Sequence, residues 1–479
     1  MKTHSLSRGL VLCVLLAGCH HVYRAGTGGE PVDAAAPTTA LDQSVACTAG
    51  LRCRVETSCA GGAHTTLSGT VFAPNGTLPL YNATVYVPNA PVAAFTKGVT
   101  CDRCDGRVSG DPIAIALTGP DGKFTLTNVP SGENVPLVIQ LGRWRRQVVI
   151  PSVPGCQVTA LDDVELTRLP RNASEGDLPQ IAIATGAADP FECLLLKVGI
   201  DAKEITSPDG ANPGRVHFYR ATDAPGTDLA SHAPRANELY SSLENLLQYD
   251  VVLLPCEGGA FDKSIVDGVP LTPNPRPLFE QYLDAGGRVF ATHLSYDWYT
   301  YDESPFNKIA APVNSSGTWP VGQADDYNDT IHGLIKETFP KGSDFAKWLQ
   351  FAGVSSEPGQ LDILNGRHDL TAVDPQYAQP WVVYDFSPQG GGPAVMHMTF
   401  NSPLDPQVDD MGVPAYCGRT VFSDFHVTAT ALQDPGVTPA LPFPAACKQE
   451  PLTDQEKALV FMLFDLSSCV QSDSQPPVL

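Results

Sequence analysis

Three short segments carry residue types that could do chemistry together: Pro255-Cys256-Glu257-Gly258-Gly259, His293-Leu294-Ser295-Tyr296-Asp297 and Ser423-Asp424-Phe425-His426. In open α/β sheets ligands bind beyond the carboxyl ends of the strands, and each segment follows or closes a strand-like run. Cys256, His293, His426 and Glu257 are the candidate catalytic groups, covering nucleophile, general base and general acid. Gly258, Gly259, Asp297, Trp298 and Asp424 are expected to line the ligand pocket, with Trp298 and Tyr299 offering the aromatic faces that sugar sites often have. A divalent metal is the second chemical option, because His with carboxylates suits Zn or Fe, and His293, Asp297, His426, Glu257 and His397 could converge. No HExxH or HxH spacing joins them, so no metal ligands and no resident cofactor are assigned. A single His at a strand end is ordinarily a hydrogen-bonded core residue. Cys256 reads in the same way as a buried or bridged cysteine, with a relocated nucleophile as the alternative.

The elements that must position these groups are legible from residue 178 to 470. Pro179-Gln-Ile-Ala-Ile-Ala-Thr185 is a continuous apolar run of buried-strand type, ending at Gly186. Asp189 and Pro190 then read as N-cap and first residue of a helix over 191–198, stopped at Gly199. A helix over 237–247, a strand over 249–254, a helix over 278–283 and a strand over 288–293 follow. Thr453-Asp-Gln-Glu456 is a capping box that opens a closing helix. This alternation predicts an α/β flavodoxin-like domain with a mostly parallel sheet. Too few strand–helix repeats are present for an eight-stranded barrel.

Residues 63–170 have another texture. Short alternating runs end in Pro74-Asn75-Gly76, Pro88-Asn89 and Gly119-Pro120-Asp121-Gly122, turns where Pro fixes φ and Gly accepts positive φ. They predict a small all-β sandwich ahead of the α/β domain, so the fold class is multidomain. The series LSGTVFAPNGTLPLYNATVYV and TGPDGKFTLTNVPSGENVPLVI resembles the carboxypeptidase regulatory-like domain, a transthyretin-like module. The resemblance implies a non-catalytic spacer or ligand-facing unit, with residues 93–112 as an insertion.

The order strand–PxxGG, helix–GG–strand–His and a late strand ending in Asp-Phe-His resembles the class I glutamine amidotransferase-like superfamily, in particular its trehalose-utilisation-type branch. The resemblance implies that Pro255, Gly258 and Gly259 match an oxyanion turn, that His426 matches the catalytic His, and that His293 or Thr292 stands where the nucleophilic Cys belongs. A His at that elbow cannot attack an amide as a thiolate does, which argues against a glutaminase.

The N-terminal residues carry a different message. Lys2 and Arg8 precede a short apolar run too brief to span a bilayer, and residues 1–18 read as a cleaved export signal. Leu16-Ala17-Gly18-Cys19 resembles the lipobox of bacterial lipoproteins, which implies lipidation at Cys19. His20 in place of Asp points to the outer membrane or cell surface. Residues 19–62 read as the lipidated Cys and a flexible tether. Of 13 cysteines, 11 lie beyond Cys19, an odd number that predicts disulfides and at least one thiol outside them within the chain. Cys101-x-x-Cys104 has no second CxxC to complete a zinc site and reads as structural.

A formal charge of −22 without a basic cluster beyond Arg143-Trp144-Arg145-Arg146 excludes a nucleic-acid partner. The expected partners are the membrane, through the lipid, and a glycan or protein ligand. The expectation for function is an envelope lipoprotein whose degenerate amidotransferase-like domain serves as a binding or scaffold module, held out by the β-sandwich. The alternative is a hydrolase or metal-dependent enzyme acting on an envelope carbohydrate or peptide.

Overall fold

Alternation of buried and exposed residues sets the first part of the chain. β1 (Thr66–Thr70), β2 (Thr84–Pro88), β3 (Pro112–Leu117), β4 (Lys123–Thr127), β5 (Gly132–Leu141), β6 (Trp144–Val153) and β7 (Val158–Leu161) form two sheets, ordered β4-β1-β7 and β3-β2-β5-β6. In β4, Phe124 and Leu126 are buried while Lys123, Thr125 and Thr127 are exposed, as a half-buried strand requires. A one-turn helix, α1 (Val164–Thr167), leads out of this part.

Runs that are apolar on both faces build the second part. β8 (Ile181–Thr185), β9 (Ile205–Thr206), β10 (Val216–Arg220), β11 (Val251–Leu254), β14 (Arg288–Thr292), β16 (Ile331–Ile335), β17 (Gln360–Ile363), β19 (Ala378–Tyr384), β20 (Ala394–Ser402) and β21 (Gly418–Ser423) make one ten-stranded sheet, ordered β17-β16-β19-β20-β21-β14-β11-β8-β10-β9. Two small ribbons, β12 (Ile265–Val266) with β13 (Val269–Pro270) and β15 (Ala310–Pro312) with β18 (Leu370–Val373), stand apart from it. From β9 to β21 every neighbour is parallel. β20, β19, β16 and β17 then continue the sheet antiparallel. Helices α2 (Phe191–Val198), α3 (Ala236–Leu239), α4 (Leu243–Leu246), α5 (Pro275–Asp284), α6 (Asp297–Thr300), α7 (Pro340–Phe351) and α8 (Asp454–Ser467) complete the described elements. The computed structural model describes residues 50–479 except 105–107, 186–188, 222–232, 258–263, 267–268, 301–305, 313–329, 365, 368, 386–392, 409–411, 428–442, 446 and 449. The expected signal, Cys19 and most of the tether lie outside the described residues, as do Gly258 and Gly259.

Several sequence expectations need correction. The helix expected over 237–247 is two short helices, α3 and α4, with Ser242 capping the second through its hydroxyl. Asp189 does not cap α2: the N-cap position is Pro190, with no side-chain cap bond. Described residues between 300 and 380, which the sequence left without a motif, supply β16, α7, β17 and β18 and the first residues of β19.

The small β part also does not stand off as a separate spacer. Its core and that of the α/β part merge into one cluster running from Leu67 and Val85 to Ile183, Trp348 and Phe461. Tyr81 stacks on Phe461 of α8 at 5.8 Å, Trp144 packs on Phe464, and the Trp348 indole donates to the Pro79 carbonyl at 2.8 Å. Disulfides Cys101–Cys417 and Cys104–Cys469 add covalent ties across the same junction, while Cys59–Cys156 and Cys193–Cys447 staple each part internally. These bridges fit an oxidising, extracytoplasmic compartment. No helix among the described residues is long and apolar enough to cross a membrane.

Candidate functional site

Three neighbouring parallel strands, β11, β14 and β21, bring the three sequence segments to one edge of the sheet. Past β11 the chain continues as Pro255-Cys256, and the Ser295 hydroxyl donates to the Pro255 carbonyl at 3.0 Å, fixing that strand end to the next one. β14 ends at Thr292 in extended backbone (φ −126°), and His293 then turns into the left-handed region at φ +50° before a 3-10 turn over His293–Tyr296. His293 rather than Thr292 is therefore the residue at the sharp elbow. Beyond β21, the Gln455 side chain at the start of α8 donates to the His426 carbonyl at 2.7 Å and holds this third end.

The result is a compact group of liganding atoms. Cys256 Sγ lies 3.1 Å from His293 Nδ1, and the His293 and His426 rings overlie one another with centroids 4.1 Å apart. One ligand atom from each of Cys256, His293 and His426 falls within 4.8 Å of the others. All three are buried, at 0, 5 and 6% exposure. Cys256 keeps its thiol, while Cys193 pairs with Cys447. Neither ring nitrogen of His426 has a hydrogen-bond partner among the described residues.

Electrostatics keep both imidazoles neutral at pH 7. Burial drives His293 well below the usual histidine range, helped by His426 and by the Arg367 guanidinium. Burial and Arg367 take His426 to about 3. Neutral imidazole is the form that binds metals, and a thiolate with two imidazoles is a soft N/S donor set of zinc type that leaves a fourth position open. The Cys256 and His293 donor atoms stand 3.1 Å apart and the His426 donor lies within 4.8 Å of both, a grouping from which one ion could be held.

The other expected residues divide. Glu257 and Asp297 are both buried and both bear on the buried Tyr240 hydroxyl, outside the Cys–His–His group. Trp298, expected to line a pocket, packs instead in an aromatic core, 4.2 Å from Phe279 and 5.2 Å from Tyr240. His397 sits within β20, its Nδ1 2.6 Å from the Ser423 hydroxyl, and does not join the group. Asp424 is wholly buried. It accepts from the Asp369 amide at 2.8 Å, and burial together with the Asp369 carboxylate raises it well above the usual carboxylate range.

Sequence reasoning missed Arg367 and gave Thr292 and Asp189 other roles. Arg367 sits in a short loop between β17 and β18 and pairs with Asp369 at 3.3 Å, so nothing in its local sequence announces it. Asp189 looked like an ordinary helix cap. The odd cysteine count agrees with the strand-end position that pointed toward Cys256.

No protein-family model matches the chain, and no curated protein matches it by sequence. Similar solved structures include a ThuA-like protein from Bacteroides uniformis, 13% identical with a TM-score of 0.30 over 62% of this chain and 93% of that one. A cytoplasmic protein from Salmonella typhimurium is 10% identical with a TM-score of 0.31 over 60% of this chain and 98% of its own. A cohesin–X-dockerin complex from Acetivibrio cellulolyticus contains a chain 14% identical with a TM-score of 0.16, spanning 32% of this chain and 95% of that one.

Proposed function

We propose that this chain is a metal-dependent hydrolase of the bacterial envelope, carried on the membrane by lipid at Cys19 and acting on an envelope carbohydrate or peptide. The observation that carries the enzymatic reading is the convergence of Cys256 Sγ and the neutral His293 and His426 imidazoles at one sheet edge. The lipid anchor rests on the lipobox-like Leu16-Ala17-Gly18-Cys19, and the envelope setting on the disulfides. The regulatory-like resemblance of residues 63–170 supports a β module that braces the α/β part.

A divalent ion held by the three side chains would act as a Lewis acid toward a carbonyl or a water molecule. The chain's own contribution is to keep both imidazoles neutral and dry, which their burial does, while the Cys256 thiol would lose its proton to solvent on binding the ion. Arg367 is close enough to depress both histidines and so opposes protonation of either ring.

A thiol–imidazole nucleophile is the second reading, favoured by the 3.1 Å Sγ···Nδ1 contact. Two facts weigh against it. Cys256 is wholly buried, and His293 is held so far below its usual range that an imidazolium–thiolate pair is disfavoured.

Metal analysis of the purified protein decides between them. The expected result is one equivalent of zinc, lost in Cys256→Ser, His293→Ala and His426→Ala. Absence of metal in protein refolded with zinc would return the domain to the scaffold reading. Hydrolysis that survives chelation but stops on Cys256 alkylation would support the thiol.

A further inference from the structure

Asp189 lies after β8, one strand beyond the three that carry the cluster, and its sequence context offers it an easy role as cap of α2. The chain does not use it so. α2 has Pro190 at its N-cap with no side-chain bond, and the Asp189 carboxylate is wholly buried, turned toward the strand ends. Its Oδ1 accepts from the Val427 amide at 2.7 Å, and its Oδ2 accepts from the Thr292 hydroxyl. That hydroxyl oxygen in turn accepts from the Cys256 amide at 3.0 Å. One carboxylate thus reaches Cys256 itself, the residue before His293 and the residue after His426.

We propose that Asp189 is the positioning residue of the Cys256–His293–His426 centre, tying three strand ends so that their donor atoms stay in register for one metal ion. This rests on the metal reading given above. The physical need is plain. The three donors follow separate strands, all of them past the last ladder pair, and nothing in the sheet alone fixes their spacing to the few tenths of an ångström that a metal site demands. The Asp189 carboxyl group, with one oxygen accepting from the Val427 amide and the other bonded to the Thr292 hydroxyl, and with the Cys256 amide bonded to that same hydroxyl, fixes it. A buried carboxylate is otherwise a poor choice at this place, because desolvation opposes it and an apolar residue would pack as well.

The test is cobalt(II) titration of the full disulfide-bonded chain, wild type beside Asp189→Asn, Thr292→Val and Thr292→Ser. Wild type should take one equivalent and show a thiolate-to-cobalt charge-transfer band. Asp189→Asn and Thr292→Val should weaken binding 10- to 100-fold, the usual effect of losing a residue that orients a ligand, and shift the cobalt bands. Thr292→Ser, which keeps the hydroxyl, should restore both. Equal affinity and an identical spectrum in folded Asp189→Asn and Thr292→Val would overturn the proposal. If Asp189→Asn fails to fold, the Thr292 pair carries the comparison. If wild type takes no cobalt, the metal reading falls, and positioning is judged by alkylation of metal-free protein. Cys256 should then react faster in Thr292→Val than in wild type or Thr292→Ser, and equal rates would overturn positioning as well.

Discussion

At the scale of single residues, His293 is the most constrained member of the site. A non-glycine residue at positive φ costs on the order of 1–3 kcal/mol and persists where the surroundings insist on it. Its φ of +50° is the price of aiming the ring at Cys256. Asn tolerates this backbone region better than most residues. His293→Asn should therefore fold with a urea midpoint close to that of wild type while losing bound metal; a large loss of stability would show that the ring holds the fold rather than an ion. His397 allows a separate check, since it lies outside the cluster. Burial takes it to about 3, against about 6.5 in an unfolded chain. The unfolded state thus binds the extra proton between those values, and stability falls as pH drops from about 6.5 toward 3. Urea unfolding of His397→Asn should show a shallower loss between pH 7 and 4.5 than wild type; identical slopes would refute the assignment. Cys256, His293 and His426 were legible because polar, reactive types follow apolar runs. Asp189 was not, because Asp-Pro before a helix is the ordinary signature of a cap, and the tertiary bonds that outbid it come from residues 103 and 238 positions away.

At the scale of elements, β8, β11, β14 and the end of β21 were readable, while β9, β10 and the antiparallel half were not. β8 and β11 are buried at every position and carry almost only apolar residues. β16 alternates in burial, yet Gly333 is buried and Leu334 exposed, so its apolar pattern is broken. β20 is buried throughout despite His397, Thr399 and Asn401: His397 Nδ1 meets Ser423, Thr399 meets Trp381 and Asp473, and Asn401 meets Arg419 and Gln471. No window of sequence contains those partners. Gly199, by contrast, was read correctly as the stop of α2. It has φ +104°, and a Cβ there would lie 2.4 Å from the Asn75 amide nitrogen in a turn of the β part. Gly199→Ala should cost at least about 2 kcal/mol, combining left-handed strain with a backbone collision that cannot relax. Thermal unfolding close to that of wild type would mean the two parts are less tightly seated than described.

At the scale of the whole molecule, the junction between the two parts is what the sequence hid most fully. The resemblance of residues 63–170 to an independent module, and the composition change after 178, both argued for beads on a string. The shared core and two long-range bridges, spanning 316 and 365 positions, make them one body instead. Cross-links closing loops of that length constrain the unfolded chain, and loss of a native one typically costs about 2–5 kcal/mol. The double variant Cys104→Ser with Cys469→Ser should lower the urea midpoint accordingly, with an unchanged midpoint contradicting a stabilising role. A single packed and cross-linked body of this kind suits a site that depends on the register of three strand ends. The central claim is that those ends hold a metal through one sulfur and two nitrogens. X-ray absorption at the zinc edge of the purified protein tests it most directly. The account predicts one sulfur at about 2.3 Å and two imidazole nitrogens at about 2.0–2.1 Å, with the sulfur shell lost in Cys256→Ser. A shell of oxygen and nitrogen alone in wild type, or no bound metal after zinc loading, would contradict it.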